Sequence, residues 1–150
     1  MKVREILANP HDGVTLRVAE DSIRILTTGA DTGGAYELFE LQGPRDSGPP
    51  VHAHPWSESY VMVEGEAEIT VGDKKMRATP GCFISIPAET LHTYKILSDS
   101  AKFIIITTPS GASEFFAELD RETKGSPGDL EKIIGVAVKH GFNIPPPANG

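Results

Sequence analysis

The chain has 150 residues, of which 39% are hydrophobic, and its formal net charge is −7 at pH 7. This length fits one domain with a core, and the negative charge argues against nucleic acid or an anionic membrane as a partner. One cysteine, Cys82, excludes an intramolecular disulfide framework, and because we find no apolar signal or membrane-spanning run we expect a soluble, cytoplasmic protein.

Nine short apolar or alternating segments lie between proline- and glycine-containing turns, which is typical of an all-β domain. The predicted strands are 14–18, 22–28, 36–42, 58–63, 67–71, 74–78, 83–86, 91–97 and 102–108. Gly72 and Asp73 connect two of these segments, and a glycine at the first turn position favours a tight hairpin. Short strands at this even spacing predict a sandwich or a closed barrel.

Two helical patterns follow the last strand. The first has apolar residues at the spacing of one helix face, namely Ala112, Phe115, Phe116 and Leu119. The second has Ser126 as the predicted N-cap, Pro127 at the first helical position, and Gly141 as the stop. Because neither helix is long enough to be stable alone, we expect a β-barrel domain at 1–110 and a helical extension at 111–150 that packs on the barrel or on a second subunit.

The segment VHAHPWSESYVMVEG, residues 51–65, concentrates side chains of the kind that bind metals. His52, His54 and Glu58 share one parity, so an extended strand projects all three to the same face. Imidazole and carboxylate groups suit a divalent transition metal. Without such an ion, each of these polar groups would cost about 1–3 kcal/mol to bury on an inward face.

A metal site needs a further ligand, preferably from another strand. His92 follows a proline-containing turn at the start of a predicted strand, which makes it the candidate. His140 lies in the last turn of a predicted helix, where a cationic side chain is favourable on its own account. His11 lies in a Pro-His-Asp-Gly turn and is expected to be solvated.

These residues resemble the two sequence motifs of the cupins. The first motif, His-x-His-x3-Glu-x6-Gly, is matched by His52, His54, Glu58 and Gly65, and the second, Gly-x5-Pro-x4-His, by Gly81, Pro87 and His92. The resemblance implies a cupin-type double-stranded β-helix, or jelly-roll, barrel. It also implies that His52, His54, Glu58 and His92 bind one divalent transition metal inside the barrel. Iron, manganese, nickel, cobalt, copper and zinc all suit these ligand types.

Four neighbouring residues are candidates for contact with a substrate. Tyr60, Met62 and Tyr94 share the parity of the ligands and should face the same cavity. Trp56 lies in the loop between the ligands, where it either packs at the rim or stacks on a substrate. The alternative for Tyr60, Met62 and Tyr94 is packing inside the barrel, which we favour for Met62.

Two valines point away from the predicted cavity. Val61 and Val63 have the opposite parity, so they need cover on the outer face of the barrel. The C-terminal helices or a second subunit would provide it, and we expect a homodimer.

The predicted ligand set leaves about two positions open on a six-coordinate metal, enough for a substrate and for water or dioxygen. Glu58 is the candidate general base. The segment TTPSGASEFFAELD resembles the end of small single-domain cupins likened to quercetin dioxygenase. This resemblance implies a metal-dependent dioxygenase or related oxidoreductase acting on a small enolisable or aromatic, flavonol-like substrate. A sugar or keto-acid isomerase or epimerase using the metal as a Lewis acid, and a non-catalytic small-molecule-binding protein, stay open as alternatives.

Overall fold

A computed structural model describes residues 3–147. Residues 1–2 of the predicted barrel domain and residues 148–150 of the predicted helical extension lie outside the described residues. The strands are β1 (Thr15–Val18), β2 (Asp21–Thr27), β3 (Glu37–Pro44), β4 (Ser57–Glu64), β5 (Ala67–Val71), β6 (Lys74–Ala78), β7 (Phe83–Ile86), β8 (His92–Ile96) and β9 (Ser100–Thr108). The helices are α1 (Gly29–Thr32), α2 (Ala112–Glu122) and α3 (Leu130–Lys139). All nine predicted strands are confirmed, each within two residues at its ends.

Two antiparallel sheets form the barrel, which confirms the predicted all-β jelly-roll class with two C-terminal helices. One sheet has six strands in the order β1-β2-β3-β9-β4-β7, and the other has three in the order β6-β5-β8. Side chains alternate in burial along β3 and β9, as expected when one face of a strand lines a core. The predicted hairpin joins β5 to β6, with Gly72 at φ 61°.

The start of α3 differs from the prediction. Its N-cap is Asp129 rather than Ser126, because the Asp129 carboxylate accepts a hydrogen bond from the Lys132 amide at 3.2 Å. Ser126 instead accepts from the Asp129 amide at 3.0 Å, in a turn before the helix. The one-turn helix α1 was not predicted, since four residues are too few for a periodic pattern.

The C-terminal helices pack at the open end of the barrel. The ring of Phe116 meets Phe39 of β3 edge to face, with centroids 5.1 Å apart, and Phe115 lies 6.2 Å from Trp56. On the outer face of β4, Val61 is half-buried and Val63 is 41% exposed, so these helices leave the surface at Val63 uncovered. None of the helices among residues 3–147 has the length and hydropathy to cross a membrane.

A buried carboxylate fixes the beginning of α2. Glu37 of β3 is fully buried and accepts hydrogen bonds from the amides of Gly111 and Ser113, the latter at 3.1 Å. These amides belong to the first turn of the helix, where backbone donors have no partner inside the helix. Glu37 therefore joins the helical extension to the barrel wall.

Replacing Glu37 by Gln should lower the free energy of unfolding by about 2 kcal/mol, because an amide offers one acceptor oxygen to the two helix donors. Urea unfolding measures this change. Glu122→Gln is the matched control, since Glu122 is exposed and pairs only with its neighbour Arg121; it should change stability by less than about 0.5 kcal/mol. Equal losses in the two variants would contradict a capping role for Glu37.

Candidate metal centre

Backbone pairing brings together histidines that are forty residues apart in sequence. His52 and His92 form an antiparallel bridge with reciprocal hydrogen bonds of 3.1 and 2.9 Å. The carbonyl of His54 accepts from the amide of Glu89 at 2.9 Å, which fixes the loop before β8 against the first motif. As a result, the rings of His52 and His92 are 4.3 Å apart, and those of His54 and His92 are 4.8 Å apart.

Each of the three imidazoles is oriented by its own backbone. The Nδ1 atoms of His52, His54 and His92 each lie 2.8 Å from a carbonyl oxygen, that of Pro50, Trp56 and Thr90 respectively. A proton on Nδ1 donates to that carbonyl, which leaves the Nε2 lone pair free for a metal. The three histidines offer ligand nitrogens within 4.8 Å of one another.

Two of these nitrogens lack a hydrogen-bond partner among the described residues. The Nε2 atoms of His54 and His92 are buried and make no hydrogen bond in the described structure. Orphaned polar atoms are costly in a protein interior. A divalent cation bound between these nitrogens would satisfy them, so the donor set fits a metal.

The carboxylate of Glu58 faces the same point from β4. Its Oε2 lies 3.3 Å from His54 Nε2, and its Oε1 lies 3.7 Å from His92 Nε2. Ligands at about 2.0–2.2 Å from one ion are separated by distances of this size. Burial raises the pKa of Glu58, but its contacts with His54 and His92 outweigh burial and hold that pKa below its usual value. The group is therefore an anion beside two imidazoles.

The protonation state of His52 also suits metal binding. Burial, together with the neighbouring His92, lowers the pKa of His52 to about 4. The imidazole is consequently neutral at pH 7, as a metal ligand must be. The three-histidine cluster is thus compatible with a bound divalent metal, and its chemistry does not select the element.

A cavity of about 100 Å³ lies over this cluster. His52, His54 and Glu58 line it, whereas His92 lies behind them with 1% of its surface exposed. The rest of the lining is largely aliphatic and aromatic, with contributions from the barrel strands, from α2 and α3, and from the chain after α3. Such an apolar cavity with a few convergent polar groups is typical of a small-molecule site.

Three of the four residues predicted to contact a substrate line the cavity, and the fourth does not. Trp56, Tyr60 and Tyr94 line the cavity, and Trp56 stacks on His54 with ring centroids 4.7 Å apart. Met62 is not part of the lining and packs in the hydrophobic core instead. This position fits the packing alternative for Met62, because the residue lies one pleat beyond Tyr60, away from the candidate ligands.

Both tyrosines carry their hydroxyl protons at neutral pH. Burial and the nearby Glu58 carboxylate raise the pKa of Tyr60. Burial and Asp21 raise that of Tyr94, whose hydroxyl donates to Asp21 Oδ2 at 2.5 Å. Burial raises the pKa of Asp21, although the neighbouring Ser47 hydroxyl and the hydrogen bond from Tyr94 lower it in part.

Sequence reasoning missed several residues of the site. Phe142 and Ile144 line the cavity, although the sequence after α3 shows no motif, and Asp21 supports Tyr94 without any signal in the sequence. The two histidines that were not predicted to bind metal lie away from the cluster. His11 is exposed, and His140 is the C-cap of α3, where its Nε2 contacts the Glu118 carboxylate.

Known proteins share this sequence pattern and fold. Residues 38–108 match the family model of the cupin domain. Over 115 residues the chain is 24% identical to quercetin 2,3-dioxygenase from Bacillus subtilis (strain 168), covering 76% of this chain and 34% of that protein. The chain thus spans about a third of the length of this curated relative.

Solved structures show the same fold at lower identity. KdgF from Halomonas sp. superimposes with a TM-score of 0.67 at 17% identity, covering 74% of this chain and 99% of that one. A predicted oxalate decarboxylase from Thermotoga maritima gives a TM-score of 0.63 at 14% identity, covering 69% and 99%. Residues 38–108 therefore match the cupin domain, and the chain resembles small cupins of the quercetin dioxygenase-like kind.

Proposed function

We propose that the protein is a metal-dependent oxidoreductase of the dioxygenase type, acting on a small enolisable or aromatic substrate. The observation that carries this proposal is the convergence of His52, His54, His92 and Glu58 beneath an apolar cavity. When bound there, a divalent metal would supply Lewis-acid activation of an enolate and a site for dioxygen.

The residues around the cluster have separate roles in this proposal. Among the described residues that line the cavity, Glu58 is the one carboxylate, so it is the acceptor for a proton from an enolisable carbon or hydroxyl. Tyr60 lies next to it and retains its proton, which suits a hydrogen-bond donor to a substrate oxygen. The aromatic wall of the cavity, formed by Trp56, Phe115 and Phe142, excludes bulk water from the reacting groups.

The reaction type is supported by the likeness to quercetin 2,3-dioxygenase, which covers most of this chain at 24% identity. An oxygen electrode tests it directly. Protein reconstituted with iron, manganese, nickel, cobalt or copper in turn is mixed with β-diketones and flavonols, and oxygen uptake that depends on both metal and substrate is expected. Conversion that continues in the absence of oxygen would contradict the oxidative reaction and favour an isomerase.

The apolar lining of the cavity argues against one of the alternatives, and the oxygen measurement distinguishes the other. Sugars carry many hydroxyl groups that need hydrogen-bond partners, and a largely apolar lining leaves such groups unpaired. A sugar isomerase is therefore less compatible with this lining than an enzyme for an apolar enol. A non-catalytic binding protein would bind the same compounds without consuming oxygen, so the oxygen measurement distinguishes it.

Glu58→Gln should reduce substrate-dependent oxygen uptake by about 100-fold or more, because the amide cannot accept the proton. Metal content, measured by plasma mass spectrometry on the same sample, should fall much less, since an amide oxygen remains a possible ligand. Glu68→Gln is a matched control on β5, half exposed and outside the cavity, and should leave both quantities unchanged. Equal losses of metal and activity in Glu58→Gln would contradict the base role.

Three further expectations stay predictions. They are a homodimer, a cytoplasmic location, and a division of the chain into a barrel domain at 1–110 and a helical extension at 111–150. The homodimer is expected from the outward-facing valines, of which Val63 is 41% exposed.

A further inference from the structure

The chain that follows α3 crosses the mouth of the candidate metal centre. Ala53, between the first two histidines, forms an antiparallel bridge with Asn143, with reciprocal backbone hydrogen bonds of 2.9 Å each. Gly141 packs so closely on Pro55 that a Cβ atom there would lie 2.8 Å from Pro55 Cγ. Residues 141–144, here called the crossing segment, are thus joined to the ligand-bearing loop itself.

The bridge places one aromatic ring over the cluster. The ring of Phe142 stacks on that of His52 with centroids 5.4 Å apart and planes 18° from parallel. It also lies 5.3 Å from the ring of His54, 5.4 Å from Trp56 and 4.5 Å from Phe115. Phe142 is therefore the part of the crossing segment that meets two of the three clustered histidines, His52 and His54, together with the aromatic residues that line the cavity.

The space left beneath this ring is small. The cavity measures about 100 Å³, whereas an engineered protein cavity of about 150 Å³ holds one benzene molecule. A three-ring flavonol is far larger than this volume. Within this volume, the aromatic wall formed by Trp56, Phe115 and Phe142 leaves no room for a second ring unless one of its members moves.

We propose that Phe142, held by the crossing segment, is a specificity-determining residue that selects compact enolisable carbonyl compounds and rejects those bearing additional aromatic rings. The inference deepens the proposed function and rests on it, because it assumes that the substrate reaches the metal-site histidines. It replaces the flavonol-like substrate class by a smaller one with the same enolisable group.

A series of three β-diketones tests this inference. Acetylacetone, benzoylacetone and dibenzoylmethane share one enolisable head group and carry no, one and two phenyl rings. Calorimetric titration uses the zinc-loaded protein, because zinc has no redox chemistry and binding is measured without turnover. The wild-type protein should bind acetylacetone about tenfold or more tightly than benzoylacetone, and dibenzoylmethane most weakly.

In Phe142→Ala, the affinity for benzoylacetone should rise about tenfold or more. The affinity for acetylacetone should change by less than about threefold, since its contacts lie at the head group. Phe83→Ala is the matched control: Phe83 is 61% exposed on β7 and is not part of the cavity, so the order of affinities should stay as in the wild type.

Asn143→Pro provides a second variant that keeps the Phe142 ring. Proline removes the amide that donates to Ala53, so the crossing segment should detach and the preference should shift towards benzoylacetone as in Phe142→Ala. An unchanged order of affinities in both variants would overturn the inference, and so would a wild-type protein that binds all three diketones equally.

The outcomes separate this inference from the proposed function. If the size preference shifts in both variants while metal-loaded protein consumes no oxygen with any diketone, the specificity role stands and the oxidative function fails. Oxygen uptake with an unchanged size preference overturns the specificity role alone. Failure of every diketone to bind contradicts both.

Discussion

Replacement of His92 by Ala is expected to remove the metal from the purified protein. His92 is 1% exposed, and its Nε2 has no hydrogen-bond partner in the described structure, so the metal loses a ligand that no other side chain replaces. A ligand at about 100 times its Kd stabilises the folded state by about 2.7 kcal/mol. The midpoint of thermal unfolding of metal-loaded protein should therefore fall by roughly 5–10 °C.

The matched control is His11→Ala, the same change at an exposed turn residue. It should leave metal content and the unfolding midpoint unchanged. Added metal should raise the midpoint of the wild type and of His11→Ala, and should have little effect on His92→Ala. Full metal occupancy in His92→Ala would show that His92 is not a ligand.

Deletion of residues 111–150 is expected to prevent stable folding of the barrel. The deletion uncovers Phe39, Trp56 and His52, which pack against Phe116, Phe115 and Phe142 respectively. It also leaves the buried carboxylate of Glu37 without the two amides that it caps. Exposure of this apolar surface and loss of partners for a buried charge together exceed the stability margin of a typical domain, about 5–15 kcal/mol.

A graded variant separates a packing role from gross truncation. Phe116→Ala removes only the ring that meets Phe39 and should lower the free energy of unfolding by about 3 kcal/mol. Circular dichroism and size-exclusion chromatography measure the truncated chain. A well-behaved truncated protein with the unfolding midpoint of the full chain would show that the helices are peripheral to the fold.

The strands and the clustering of the candidate ligands were predictable because both follow from short sequence patterns. Alternation along a strand fixes which residues share a face, so Glu58 and Tyr60 of β4 lie on one side, whereas His54 precedes this strand and is indicated by the motif spacing. The start of α3 was missed because Ser126 and Asp129 are both good N-caps. Which of them caps the helix depends on the local turn, in which the Asp129 amide donates to Ser126.

The mouth of the site was not predictable from local patterns. Phe142 reaches His52 because the neighbouring Asn143 pairs with Ala53. A bridge of one residue pair leaves no repeating hydrophobic pattern in the sequence from which it could be predicted. The same holds for Glu37: its parity indicates burial, but nothing in the sequence identifies the first turn of α2 as its partner. Contacts between distant segments depend on the path of the chain, which composition and spacing do not specify.

Elemental analysis by plasma mass spectrometry tests the central claim most directly. The protein is purified without an affinity tag or chelator, and the metal is counted per chain. The convergence of three imidazoles and one carboxylate predicts about one divalent transition metal per chain. Protein that holds no such metal, and regains none when each candidate ion is added, would contradict the metal centre and the function built on it.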